Sequence, residues 1–218
     1  VDQTTGPSAG NVYVAWSQYD GFAPNNAVLF SRSTDHGLTF SRPVRVTPVA
    51  HGTASFADLA VGPDGAVYLA FLTYPSSSNP SADVWLSKST DGGASFGAAA
   101  HVASIVLTDS NQFSGNGSES CGDGPFACPS GLTFSRFFSA PAVAADASGV
   151  HVVWGGELPS GQSKIFVRNS PDGTAWPTPA ATLDTVAVGH QWTPDIAAAA
   201  GVLSVVFYDS RADPTYAP

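Results

Sequence analysis

"STDHGLTF" stands at 33–40 and "STDGGASF" at 89–96. Ser, Thr, Asp, Gly and Phe recur in the same order, 56 residues apart. A third, looser copy, "SPDGTAW", stands at 170–176, with its Gly and aromatic each one residue early. The stretch leading into each copy is also repeated: "AVLFSRS" (27–33), "DVWLSKS" (83–89) and "KIFVRNS" (164–170). Further upstream lie "NVYVAW" (11–16), "AVYLAF" (66–71) and "GVHVVW" (149–154), and a fourth version, "VLSVVF", occupies 202–207. Alternating β-branched and aromatic residues predict strands at all of these positions.

The final aromatics of that strand are Trp16, Phe71, Trp154 and Phe207, spaced 55, 83 and 53 residues apart. The long middle interval contains a Ser/Gly/Asn-rich insertion at 109–136, and without it the period is near 54. Small, apolar stretches ending in Gly precede the last three copies, at 56–65, 139–149 and 193–201. Weaker strands follow the first three, at 42–47, 99–104 and 180–185. Each unit therefore reads strand, strand, strand, turn, strand. A four-stranded unit at a fixed period predicts a β-propeller blade. A β-sandwich is the competing all-β fold, but it does not require its units to resemble one another.

Composition agrees with many short strands. The 218 residues include 22 Gly and 17 Pro, and 43% are apolar, enough for a sizeable core. Only 11% are charged, against ~25% in an average soluble protein. The net charge is −9 and no basic cluster occurs, which disfavours nucleic acid and anionic membrane as partners. No apolar run approaches the ~20 residues needed to span a bilayer. There is no methionine, so a processed chain or part of a longer one is expected. Cys121 and Cys128 are close in "CGDGPFAC", which favours a local disulfide pinning the insertion and an oxidising compartment. No zinc spacing is present, and no cofactor is expected. Asp109, Asn111, Glu119 and Asp123 are oxygen donors that suggest calcium within 109–123, but their spacing matches no calcium loop, and solvated polar residues are the preferred reading.

The pattern Ser-x-Asp-x-Gly-x-x-aromatic resembles the Asp box, or BNR repeat, of the sialidase superfamily and related β-propellers. Its positions here are Ser33, Asp35, Gly37 and Phe40; Ser89, Asp91, Gly93 and Phe96; and, as a variant, Ser170, Asp172, Gly173 and Trp176. The residue types explain themselves without a substrate. A short carboxylate accepts N–H groups of its own turn, Gly supplies positive φ, and the aromatic covers the hairpin. These residues are therefore expected to be structural, on blade rims away from any substrate pocket, as the resemblance implies.

The expected architecture is all-β, a propeller of four-stranded blades in units 1–53, 54–108, 137–188 and 191–218. These amount to about three and a half blades, and the resemblance implies a six-bladed ring. The chain is then a single propeller domain or an excerpt of one, with the rest supplied by a longer chain or another subunit. The resemblance also implies three arginines on a substrate carboxylate, a Tyr nucleophile with a Glu partner, and an Asp acid/base. Bidentate Arg suits a carboxylate, and paired acids suit glycoside cleavage. The family's Arg-Ile-Pro motif is absent. Arg32, Lys88 and Arg168 share one repeat position and are expected on solvated blade faces. Arg136 and Arg211 fall outside the repeat and are candidate ligand contacts. Asp58 and Asp195 share a position on the innermost strand, and Tyr208 and Asp209 end a second strand. These are candidates for lining a pocket, although polar groups satisfied around the axis are the simpler account. Two functions follow: a secreted glycan- or protein-binding scaffold, and an exo-acting glycoside hydrolase of the sialidase type.

Overall fold

A computed structural model describes residues 1–18, 26–47, 53–74, 81–106, 139–160, 162–186 and 188–212. Arg136, Cys121, Cys128 and the 109–123 donors lie outside the described residues. Thirteen strands form among the described residues, with no helix. They are β1 (Val12–Gln18), β2 (Ala27–Ser33), β3 (Val44–Arg45), β4 (Thr53–Val61), β5 (Val67–Tyr74), β6 (Ser81–Ser89) and β7 (Ala100–Val106). Then come β8 (Ala142–Asp146), β9 (Gly149–Glu157), β10 (Ser163–Ser170), β11 (Ala181–Thr182), β12 (Gln191–Ala199) and β13 (Val202–Asp209). They build antiparallel sheets in the orders β1-β2-β3, β4-β5-β6-β7, β8-β9-β10-β11 and β12-β13. The sheets follow one another side by side, with the innermost strands β4, β8 and β12 adjacent. This is the blade arrangement of a β-propeller.

The core consists of three seams between successive sheets. Alternation along β5 explains why. Val67, Leu69 and Phe71 face back onto Tyr13, Val28 and Phe30 of the first sheet. Tyr68, Ala70 and Leu72 face forward onto Val150, Val152 and Trp154 of the third. Because both faces are covered, β5 is a nearly continuous apolar run. The third seam joins Ala144, Val153 and Ile165 to Ile196, with Val205 and Phe207 packed against it. Each fully buried side chain of this size contributes ~1.5–3 kcal/mol.

The repeated turns close the sheets at the end where the innermost strands finish. In the first, the Ser33 hydroxyl donates to Asp35 Oδ1 at 2.6 Å and accepts the Gly37 N–H at 2.8 Å. Asp35 also accepts the Thr39 N–H at 2.9 Å and the Thr39 hydroxyl at 2.5 Å. The second turn repeats this with Ser89, Asp91, Gly93 and Ser95 at 2.6–2.9 Å. In the third the early Gly tightens the turn, and Asp172 accepts the N–H groups of Thr174 at 2.8 Å and Ala175 at 3.0 Å. The Ser33 and Thr39 hydroxyls hold the Asp35 carboxyl down to about 2. The hydroxyl of Ser95 does most to hold Asp91 below the usual range, and the N–H of Ala175 does so for Asp172.

Two features depart from expectation. Arg32 and Lys88 are not simply solvated. Arg32 donates to the carbonyls of Asp91 at 3.1 Å and Gly92 at 2.8 Å, in the next sheet's turn. Lys88 donates to the Asp172 carbonyl at 3.0 Å, again one sheet on. Arg168 is not simply solvated either: it donates to the carbonyls of Trp176 and Thr178 in its own unit and to that of Val102 in β7 of the preceding sheet. The turn aromatics also reach between sheets: Phe96 packs edge-on against Phe30 of the first sheet, with centroids 4.8 Å apart. A Cβ on Gly93 would lie 2.6 Å from the Phe30 ring, and one on Gly173 would lie 2.6 Å from Tyr68. The turn is thus a clasp between neighbouring sheets as well as a hairpin. Phe40, whose turn has no such neighbour among the described residues, is 47% exposed.

Candidate functional site

The end of the sheets opposite these turns is where β4 and β12 begin and where β5 and β13 finish. Both innermost strands are irregular there in the same way. β4 shifts register between Ser55 and Asp58, and Phe56 has φ 58°. β12 shifts between Trp192 and Asp195, and Thr193 has φ 49°. Two non-glycine residues at positive φ, each two positions before an Asp, mark bulges that re-aim a side chain. Asp58 Oδ2 accepts the Val143 N–H of β8 at 2.7 Å, so this carboxylate ties two innermost strands together. Burial pushes its carboxyl above the usual range, and the nearby charge of Asp195 adds to the effect. Asp195 is exposed and accepts the Ile196 N–H at 2.8 Å. At the corresponding position β8 carries Ala142, and no bulge forms.

Aromatic rings accompany the two carboxylates. Trp192 stacks on Tyr208 across the β12–β13 pair, with centroids 5.8 Å apart and planes 14° off parallel. Tyr208 is 64% exposed. Phe56 meets Tyr74 edge-on at 6.4 Å. Sequence reasoning found Tyr208 but missed Trp192, Phe56 and Tyr74. The signal was an aromatic two or three residues before each Asp, in "FAD" and "WTPD".

Asp209 and Arg211 are held within the protein. Arg211 donates through Nε to Asp209 Oδ2 at 2.7 Å and through Nη2 to both Asp209 and Asp184. The buried Gln191 amide bridges the same two carboxylates at 2.7 and 2.9 Å. Burial works upward on Asp209, but hydrogen bonds from Arg211 and Gln191 outweigh it and bring the carboxyl to about 2. Lys164, also buried, donates to the carbonyls of Val186 and Gly189. Burial, and then the charge of Lys164, lowers the pKa of His190 beside it. The structure therefore brings together Asp58 with Asp195, Tyr208 with Trp192, and Asp209 with Arg211.

Among the described residues, no group of three His, Cys, Asp or Glu side chains is placed to hold a metal ion. A cavity of about 620 Å³, lined by Tyr13, Leu59, Val61, Pro63, Asp146 and Ala198 among others, lies at the opposite, turn-bearing end. No described helix is long and apolar enough to cross a membrane.

No family model matches this chain, and no curated protein sequence does. Solved structures do. An α-L-arabinanase of Penicillium chrysogenum, complexed with arabinobiose, superimposes with a TM-score of 0.63 at 17% identity, over 95% of this chain and 62% of that one. A Hadza microbial sialidase gives 0.58 at 12%, over 95% and 41%. An α-L-arabinofuranosidase of Fusarium graminearum, also with arabinobiose, gives 0.57 at 16%, over 94% and 60%. This chain spans less than two thirds of the length of each. What it shares with them is the β-propeller fold.

Proposed function

We propose that this chain is the glycan-recognising part of an extracellular β-propeller, with its ligand taken at the end that carries Asp58, Asp195, Trp192 and Tyr208. One observation carries this reading. Two carboxylates stand at equivalent bulged positions of the innermost strands, within electrostatic reach of each other and beside a stacked aromatic pair. Aromatic faces suit the C–H faces of a sugar ring, and carboxylates accept from its hydroxyls. Bulge strain of ~1–3 kcal/mol per residue at positive φ clusters at binding sites. The arabinobiose complexes among the structural neighbours are consistent with it. The test is calorimetric titration with arabinobiose and with sialyllactose. The expected result is saturable binding of at least one, weakened about tenfold (~1.4 kcal/mol) in Trp192→Ala with an unchanged melting temperature. A folded chain that binds neither sugar, or binds one equally well as Trp192→Ala, rules the reading out.

A second reading, an exo-acting glycoside hydrolase, is favoured by one feature. Burial raises the pKa of Asp58 beside a second carboxylate, as a general acid requires. Release of a chromophore from aryl arabinofuranoside or sialoside, lost in Asp58→Asn, would replace binding by turnover.

A further inference from the structure

The start of β12 is fastened to the start of β10 by side chains, with no strand ladder between the two. The Ser163 N–H donates to His190 Nδ1 at 3.2 Å, and the Ile165 N–H donates to Gln191 Oε1 at 3.4 Å. The Ser163 hydroxyl adds a bond to the Gln191 carbonyl at 2.6 Å. Lys164, between them in sequence, reaches the Gly189 carbonyl at 3.2 Å. On its other side, the His190 N–H donates to the Ser210 hydroxyl at 2.8 Å, and its carbonyl accepts the Ser210 N–H at 3.0 Å. One residue beyond Gln191 is Trp192, whose ring stacks on Tyr208 in the proposed glycan site.

Of these groups only the His190 ring ordinarily changes charge between pH 5 and 8. Its Nδ1 accepts a backbone N–H only through a lone pair, so the ring is neutral and carries its proton on Nε2. A proton on Nδ1 sets two donors against each other. It also places a second cation beside the buried Lys164 ammonium. The charged groups that face the ring are Lys164 on β10 and Glu157 on β9, which act on it in opposite senses.

We propose that His190 is a proton-operated latch on the glycan site: the neutral ring holds the start of β12 against β10, and protonation releases that segment and Trp192 with it, so that the sugar is let go in mild acid. The proposal rests on the glycan reading of that site. Once Trp192 is no longer held against Tyr208, the binding-competent fraction falls, and apparent affinity falls with it. The direction follows from the titration. Burial, and then Lys164, lowers the ring below its ordinary 6.5, so its contribution is intact above 6.5 and lost as pH falls through the folded value.

His190→Gln keeps an acceptor for the Ser163 N–H and does not titrate, which makes it the reference. Hydrogen exchange without sugar, in peptides spanning 162–165 and 188–195, reads the latch. Wild type and variant are expected to match at about pH 7.5, and wild type alone to lose protection at about pH 5.5. Calorimetric titration with arabinobiose and sialyllactose reads the site. Whichever sugar binds should bind wild type about tenfold more weakly at the lower pH, and the variant equally at both. Nitrogen NMR of the wild-type imidazoles needs no variant to fold: His190 is expected as the Nε2–H tautomer at neutral pH, with a midpoint below 6.5. An Nδ1–H tautomer or a charged ring at neutral pH overturns the proposal. Equal protection of wild type and variant in acid overturns it too, and so does an affinity loss shared by the variant, which would belong to Asp58. Acid release of the segment in a chain that binds neither sugar upholds the latch and overturns the glycan reading instead.

Discussion

β5 and β13 are the same strand of the repeat, yet they are buried differently. Every residue of β5 from Val67 to Thr73 is buried, whereas β13 alternates between exposed and partly covered along its whole length. The sequences do not demand this: VYLAFLTY and VLSVVFYD are both rich in β-branched and aromatic residues. Position in the row of sheets decides it. The β4–β7 sheet has a neighbour on each side, and β12–β13 has one on a single side among the described residues. Burial in this fold is a property of the seam, and a strand read in isolation shows only that it has a face to cover.

The largest effect should separate these two strands. Phe71→Ala removes a fully buried ring from the first seam and is expected to cost ~3–5 kcal/mol. Val206→Ala removes methyl groups that face water and is expected to stay within ~0.5 kcal/mol. Urea unfolding with a common m-value measures both. Equal losses would mean that β13 is as well covered in solution as β5.

A second contrast is between two glycines in equivalent turns. Gly37 and Gly93 both have positive φ, at 90° and 77°. A Cβ on Gly37 meets only Val12, at 3.8 Å, whereas one on Gly93 runs into the Phe30 ring. Gly37→Ala is expected to cost ~1 kcal/mol from backbone strain alone. Gly93→Ala adds overpacking and is expected to cost ~2–4 kcal/mol. Similar thermal shifts for the two would show that the turn does not clasp the preceding sheet.

Much of this was legible in the sequence, and the reason is periodicity. Strand positions followed from four copies of one alternating pattern. The Ser–Asp–Gly hydrogen bonds followed from side chains that bond within their own turn. What stayed hidden needed knowledge of the neighbouring sheet. Arg32 and Lys88 look solvated when only their own strand is considered, because the carbonyls they meet are 59 and 84 residues away. Arg211 looked available as a ligand contact because Asp184, one of its two partners, is 27 residues distant on another sheet's connection. Trp192 was overlooked because its strand was expected to begin later, at 193.

Acid should expose the turns before the seams. The Asp35, Asp91 and Asp172 carboxyls lie below their ordinary value of 3.8, with Asp35 at about 2. Carboxylates depressed in the folded state contribute stability that is present above the unfolded value and lost as pH falls through the folded one. Asp58 acts in the opposite sense, since its raised value favours the folded state at low pH and costs stability as pH rises through it. The melting temperature is therefore expected to fall as pH drops from about 4 toward 2. In Asp91→Asn the fall should be shallower, from a lower starting point at neutral pH. A curve as steep as wild type would place the acid sensitivity outside these turns.

The smallest expected effect tests the clasp itself. Lys88 reaches across one seam to the Asp172 carbonyl and lies 5.2 Å from the centroid of the Tyr68 ring. Arg32 makes two such bonds across the seam before it. Both head groups are near water, so each contact is worth ~0.5–1 kcal/mol, and less in salt. Lys88→Ala alone should be barely resolvable. Its consequence lies in coupling: if the cation and the glycine hold the same turn against the same sheet, their losses should not add. Lys88→Ala combined with Gly173→Ala is expected to cost less than the sum of the two, because a turn already displaced by its clash with Tyr68 no longer presents its carbonyl to Lys88. Lys88→Ala combined with Gly93→Ala touches two different seams and is expected to add. Additivity in both pairs would show that the cations decorate the surface of the turns and that packing alone joins the sheets.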